Sequence, residues 1–252
     1  MKAAERQEQM KQYIQAADRV TVAELSGHWG ITEETVRRDL DKLESQGSVT
    51  RVHGGAIWNG FVDTGGEHFV RRHKINAREK GYIALKAAEV IHPCETIIAD
   101  ASSTVLEALK AVGDERRLTV ITNSSKICDG SFEPAYNLIC TGGIYNWKSL
   151  SFQGESALES IRKYRVDLAI LGCKALDLDL GVMDSYESEA VVKRVMVEQA
   201  GKVAILADHT KFDKVALLKL MDLGDISYII TDREPSKEWV SLCRTAGVGL
   251  LY

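Results

Sequence analysis

The spacing of apolar residues changes character once along the chain, near residue 75, and that change limits the possible folds more than any motif does. Before it, three short segments repeat their apolar residues at helical spacing, with almost no strand signal until the end. After it, short apolar runs alternate with helical stretches to the last residue. Such alternation predicts a mostly parallel sheet with helices on both faces. The chain therefore reads as two domains, α+β in front and α/β behind: residues 1–57, a linker over 58–76, and residues 77–252.

Within the front part, Met10, Tyr13, Ile14 and Ala17 give Arg6 to Ala17 one packed face. Thr21 and Glu24 form a capping box for a second helix, Val22 to about Trp29. Gly30 breaks the chain, and Thr32 caps a third helix that runs to about Gln46, with Glu33 and Glu34 at its positive end. Two helices joined by a short glycine-containing turn make a helix-turn-helix unit. In the third helix Val36, Leu40 and Leu43 define the buried face, so Arg37, Arg38, Asp41 and Lys42 turn outward. The start of such a helix enters the major groove, where arginine pairs bidentately with guanine and threonine meets base edges or phosphate. A competing reading has Arg37 and Arg38 paired with Glu33, Glu34 or Asp41 on a solvated face.

Context favours DNA. Ser48 to Ile57 predicts a short hairpin beside the third helix, a wing that turns Arg51 and His53 toward the sugar-phosphate backbone. The candidate DNA contacts are thus Thr21, Thr32, Thr35, Arg37, Arg38, Arg51 and His53. Thr35-Val-Arg-Arg-Asp-Leu40 followed by Arg51-Val-His-Gly-Gly-Ala56 resembles the winged helix-turn-helix domain of the DeoR (GlpR) family of bacterial transcription regulators. Residues 1–58 nonetheless hold eight Lys and Arg against nine Asp and Glu, and the whole chain has a net charge of -4. With no general basic excess, affinity has to come from a local cationic patch and from several copies acting together.

Strand-like runs are expected at Thr96–Ala99, Leu118–Ile121, Leu138–Cys140, Leu168–Leu171, Val203–Ala207, Tyr228–Ile230 and Val248–Leu251. Ligands of such folds bind beyond the carboxyl ends of the strands. Those ends carry Asp100, Ser102, Ser103 and Thr104; Thr122, Asn123 and Ser124; Gly142 and Gly143; Lys174; and Asp208 with Lys211. Small hydroxyl residues between a strand and a helix direct N–H and O–H donors at the helix's positive end, which suits a phosphate, and the lysines add charge. Any one of these residues alone is an ordinary helix cap. Their agreement at one edge of the sheet is what points to a ligand. Gly142 to Ser149 has a P-loop look, but Trp147 stands where the second glycine is required, and no GxGxxG follows a strand, so ATP and NAD have no support.

This half is similar to the same family's effector domain, which is itself similar to ribose-5-phosphate isomerase. The resemblance implies a phosphosugar-isomerase-like fold, a phosphorylated sugar or related metabolite as ligand, and Glu189 as a further site residue. Lys174-Ala175 departs from the Asp-Gly common in the family, adding a positive charge and losing a carboxylate. If the isomerase likeness were functional, Glu189 would be the base of an aldose-ketose isomerisation. The isomerase's acidic loop and its Lys-Gly-Gly segment have no counterpart here, so the expectation is a regulator without catalysis, acting as a homo-oligomer on a double-stranded operator. No apolar run approaches the roughly 20 residues of a membrane span, and the polar start is unlike a signal peptide, so a soluble cytoplasmic protein is expected. The five cysteines, Cys94, Cys128, Cys140, Cys173 and Cys243, show no CxxC pair, which predicts reduced thiols, no disulfide framework and no zinc site.

Overall fold

The computed structural model describes residues 3–17, 19–45, 48–52, 54–58, 67–113, 117–129 and 136–252. The chain divides into two compact units, Met1–Thr64 and Gly65–Tyr252.

In the smaller unit, α1 (Ala3–Ala17), α2 (Val22–Trp29) and α3 (Glu33–Ser45) bury Met10, Ile14, Val22, Leu25, Val36, Leu40 and Leu43 against one another, the apolar faces the periodicity indicates. The capping box is complete, with Thr21 Oγ1 accepting from Glu24 N at 3.2 Å and Glu24 Oε2 accepting from Thr21 N at 3.4 Å. Strands β2 (Val49–Val52) and β3 (Gly55–Trp58) pair antiparallel as the expected wing. A third strand, β1 (Arg19–Thr21), also pairs with β3, which therefore lies in the middle. Gly55 is required there, since a Cβ would lie 2.0 Å from the Val20 carbonyl oxygen.

Asp39 is buried between α1 and α3, accepting from Arg6 Nε at 2.7 Å and from Gln7 Nε2 at 2.7 Å. That contact fixes α1 across α3, and nothing in the helical periodicity announces it.

The larger unit begins with α4 (Glu67–Lys74), inside the segment read as linker. Its basic residues follow Phe69, which is buried in the core with Ile83, Ala84, Leu106 and Leu109. Then come α5 (Ala77–Ile91), β4 (Thr96–Ala99), α6 (Ser103–Ala111), β5 (Thr119–Thr122), α7 (Ser125–Cys128), β6 (Asn137–Cys140), the hairpin β7 (Ile144–Asn146) and β8 (Ser151–Gln153), α8 (Glu155–Arg162) and β9 (Val166–Gly172). A small lobe of β10 (Ala175–Asp177), β11 (Gly181–Asp184) and, later, β13 (Leu218–Met221) surrounds α9 (Glu187–Glu198) and β12 (Ala200–Leu206) in sequence; β14 (Tyr228–Ile230), α10 (Lys237–Ala246) and β15 (Gly249–Leu251) end the chain.

Among the described residues the main sheet has seven strands in the order β15-β14-β12-β9-β4-β5-β6, every neighbouring pair parallel. The seven expected strands are these seven, each within a few residues of its predicted ends. One core layer packs α5 and α6 on one face of the sheet, and a second packs α8, α9 and α10 with the lobe on the other. The order matters for the site. From β4 the chain moves outward through β5 to β6, returns to β9 on the other side of β4, and then moves outward the opposite way. The direction reverses between β4 and β9, so the two strand ends leave a crevice there.

The expectation for the cysteines is corrected in part. Cys128 and Cys140 are joined in a disulfide with Cα atoms 6.4 Å apart, while Cys94, Cys173 and Cys243 are free. Spacing along the chain could not show this, because β6 returns alongside β5 and brings two distant residues together. No helix among the described residues is long and apolar enough to cross a membrane.

Candidate DNA interface and ligand site

The start of α3 sets two adjacent arginines beside two glutamates. Arg37 pairs with Glu33 at 2.7 Å and Arg38 with Glu34 at 3.4 Å, so the competing reading describes the geometry of the smaller unit by itself. It does not exclude DNA contact. Arg38 is 78 % exposed and Arg37 about half exposed, and exposed pairs of this kind contribute only about 0–1 kcal/mol, so phosphates or base edges would displace the carboxylates at little cost. Arg51, from β2, donates to Asp41 Oδ1 at 2.8 Å and to the Arg37 carbonyl at 3.1 Å, while its amide donates to Glu44 Oε1 at 2.7 Å. These bonds tie the wing to α3. Thr32 Oγ1 accepts from Thr35 N at 3.3 Å and lies 2.9 Å from Thr35 Oγ1, leaving both hydroxyls at the exposed helix start. The Thr21 hydroxyl is committed to its cap, and His53 lies outside the described residues.

In the larger unit the switch-point crevice is built on Asp100, Gly172, Asp184 and Lys193. At the end of β4, Asp100 Oδ1 accepts from Ser102 N at 3.1 Å, and its Oδ2 accepts from Gly172 N at 3.3 Å across the crevice. Glycine at 172 permits this approach, because a Cβ would sit 2.5 Å from Ser102. Into the same place α9 sends Lys193. Its ammonium donates to the Gly172 carbonyl at 2.9 Å and to Asp184 Oδ2 at 2.5 Å, and faces Asp100 Oδ2 at 3.2 Å. Three acceptors thus meet the three donors of a buried lysine. Burial works against its charge, but Asp184, Asp100 and Glu189 outweigh burial and raise its pKa.

Asp184 shows the reciprocal effect: burial alone would raise its carboxyl, and Lys193 holds it below the usual range. Its folded pKa lies under the unfolded one, so its contribution to stability is full above about pH 4 and is lost as pH falls through the folded value. Urea midpoints should therefore drop as pH is lowered below about 4, with Asp184→Asn losing part of that acid slope. An unchanged slope in the variant would show that another group sets it. Glu189, at the start of α9, is raised by burial, with Lys193 and Arg72 opposing.

Around this centre the expected residues take different places. Ser102 caps α6 by accepting from Val105 N at 3.2 Å, and Ser103 and Thr104 are buried in the first turn. The Thr122 hydroxyl donates to Ala99 O at 2.8 Å and accepts from Ser124 N, and Ser124 caps α7, so both hydroxyls are occupied inside the protein. Asn123 differs. Its Nδ2 donates to Phe152 O at 3.0 Å, but its buried Oδ1 has no hydrogen-bond partner. Such an acceptor suits a donor from a ligand. Gly142 and Gly143 lead from β6 into β7 with positive φ, at 65° and 116°.

At the end of β12, Asp208 accepts from Thr210 N at 3.0 Å; burial raises its pKa, and Thr210 and Lys211 outweigh burial to lower it. Lys174 begins the lobe at the end of β9, its amide donating to Met183 O at 3.0 Å. Lys80, from α5, is a further cation near Asp208; burial pushes it down to about 8, and it donates to the carbonyls of Arg72 and Ile75. Sequence reasoning missed Lys193, Asp184 and Lys80. For Lys193 there was a signal: it stands three residues from both Ala190 and Met196, on the buried stripe of its helix.

A winged helix-turn-helix with two adjacent exposed arginines on its third helix, followed by a parallel α/β unit with a polar crevice at its switch point, defines a DNA-binding regulator with a sensor domain. Residues 6–60 match the DeoR-like helix-turn-helix domain and residues 75–233 the DeoR C-terminal sensor domain, and the chain belongs to the DeoR family of transcriptional regulators. It is 38 % identical to the uncharacterized HTH-type transcriptional regulator YulB of Bacillus subtilis, over 92 % of this chain and 90 % of that one. Similarity extends to the L-fucose operon activator of Haemophilus influenzae, 34 % identical over 90 % of this chain and 91 % of the other, and to the HTH-type transcriptional repressor GlcR of B. subtilis, 32 % identical over 95 % and 92 %.

Proposed function

We propose that this regulator represses genes of sugar or carbohydrate metabolism in the cytoplasm, binding double-stranded operator DNA as a homo-oligomer, and that a phosphorylated sugar or related metabolite releases it. The observation that carries the effector reading is the crevice between β4 and β9. Its carboxylates are held in place by Lys193, Lys174 and Lys211 add positive charge at the adjoining strand ends, and the Asn123 acceptor is unsatisfied. An anionic, hydroxyl-bearing ligand matches that set. The name of the L-fucose operon activator supports a role in sugar metabolism, and that of the repressor GlcR supports repression. The ligand is bound and given back unchanged, a reading supported by Lys174-Ala175 where an isomerase would carry acid.

Oligomerisation follows from the charge balance, because a unit with no basic excess gains affinity by engaging paired half-sites about one helical turn, or a multiple of it, apart. Linkage then makes the control reciprocal: a ligand that prefers one arrangement lowers DNA affinity, typically by about 1–3 kcal/mol, and DNA lowers ligand affinity by the same factor. A thermal-shift screen of phosphorylated sugars on the full chain should find a stabilising compound. That compound should release operator DNA from the unaltered protein and should fail to release it from Lys211→Ala, whose DNA affinity stays the same. Release unaltered by Lys211→Ala would place the effector elsewhere.

A further inference from the structure

The parallel ladder sets Cys140 beside Thr122 at the end of β6, the edge strand of the sheet. Cys128 closes α7, the four-residue helix that follows the Thr122-Asn123-Ser124 loop. Their disulfide therefore fastens together the two segments that adjoin candidate effector loops, Thr122–Ser124 before α7 and Thr141–Gly143 after β6.

Both segments lie at the edge of the main sheet, held there by the β5–β6 ladder and by bonds from the Thr122–Ser124 loop to Phe152. One helical turn is not stable by itself in water. Apart from the bridge, α7 rests on the Ser124 cap, on the buried Ile127, and on Ser125, whose amide and hydroxyl both donate to Leu150 O at 2.9 Å. Among the described residues, strand β6 has a neighbour on one side alone, and its four residues are exposed or half-buried, Leu138 and Ile139 resting against the core. Cys140 is exposed and Cys128 half-buried, so small oxidants and reductants reach the pair. Of the free thiols, Cys243 is buried, and burial pushes the pKa of Cys94 and Cys243 up and that of Cys173 up to about 12.

We propose that Cys128 and Cys140 are a reversible thiol–disulfide switch, closed by a peroxide and opened by a dithiol, that orders the two loops and so tightens effector binding. In closure, the thiolate of one cysteine attacks a peroxide oxygen, which leaves a sulfenic acid and the first water. The second thiol attacks that sulfur and expels the second water, so the two sulfurs lose two electrons and hydrogen peroxide is reduced to two waters. Opening reverses the oxidation, with the dithiol becoming a cyclic disulfide. The effect on binding rests on the effector reading above, whereas the ordering of the loops does not.

The test uses the full chain, treated with hydrogen peroxide or with dithiothreitol and then freed of reagent. Of five cysteines, three should titrate as thiols under denaturing conditions after peroxide and all five after dithiothreitol. Hydrogen exchange over residues 122–128 and 140–143 should be slower by about tenfold or more in the oxidised form. Inorganic phosphate, as the probe, should bind that form at least about threefold more tightly, read as a larger thermal shift at equal concentration. The Cys128→Ser/Cys140→Ser variant should behave as the reduced protein under both treatments. A thiol count that peroxide leaves unchanged, equal exchange in the two forms, or a redox response that survives in the variant would overturn the switch. Phosphate binding to neither form would overturn the effector reading instead, leaving thiol count and exchange to decide the switch.

Discussion

Lys193→Ala should lower the stability of the larger unit by about 3–5 kcal/mol, because removing the ammonium strands two buried carboxylates in the same crevice. At about 2–4 °C per kcal/mol for a unit of this size, the thermal midpoint should fall by roughly 6–20 °C. Asp100 and Asp184 are both almost fully buried, so neither can turn to water, and each would hold the other's charge unfavourably. The coupling is best measured as a double-mutant cycle with Asp184→Asn. Neutralising Asp184 in the Lys193→Ala background should recover part of the loss, since only Asp100 then needs a counter-charge. A single-variant cost below about 1 kcal/mol would mean that solvent already reaches the carboxylates, and the crevice would lose its fixed electrostatic floor.

Replacing Arg37 and Arg38 together by Ala should weaken operator binding by about 100-fold or more, since a good bidentate contact to a base contributes about 1–3 kcal/mol. Stability should hardly move, because the pairs lost with Glu33 and Glu34 are solvent-exposed. Where either arginine meets a phosphate instead, the slope of log affinity against log salt should shrink by about 0.9 per arginine and the loss should be uniform across sequences. Fluorescence anisotropy with a duplex selected from a random pool separates these outcomes. Binding equal to that of the unaltered chain would remove α3 from the interface.

How far the sequence could be read depended on the length of each pattern. Val166–Gly172 and Ala200–Leu206 are seven-residue central strands, and their apolar stretches are unmistakable. Strand β1 offers a single apolar residue, Val20, and its strand character comes from pairing with β3, a tertiary fact. The lobe strands β10, β11 and β13 likewise are three or four residues long and depend on one another. At the ligand site the strand-end loops were legible by residue type, but type does not separate a cap from a ligand contact. Thr122 and Ser124 have their hydroxyls occupied by the protein, while the chemically similar Asn123 keeps an open acceptor. Lys193 was missed because a lysine is presumed exposed unless its place on the helix stripe is weighed against that habit.

The middle position of β3 gives the wing a stiffness that bears on operator choice. Since β3 is bonded to β1 on one side and β2 on the other, and Gly55 packs directly against the backbone of β1, the hairpin cannot swing without breaking the β1–β3 ladder. The height of Arg51 above the recognition helix is therefore set in advance. In the expected contact of the wing with the sugar-phosphate backbone, a fixed Arg51 would measure groove width as well as base sequence: flanks whose minor groove already matched that height would be bound without deformation, and stiff flanks of another width would carry an elastic penalty even where the protein touched no base.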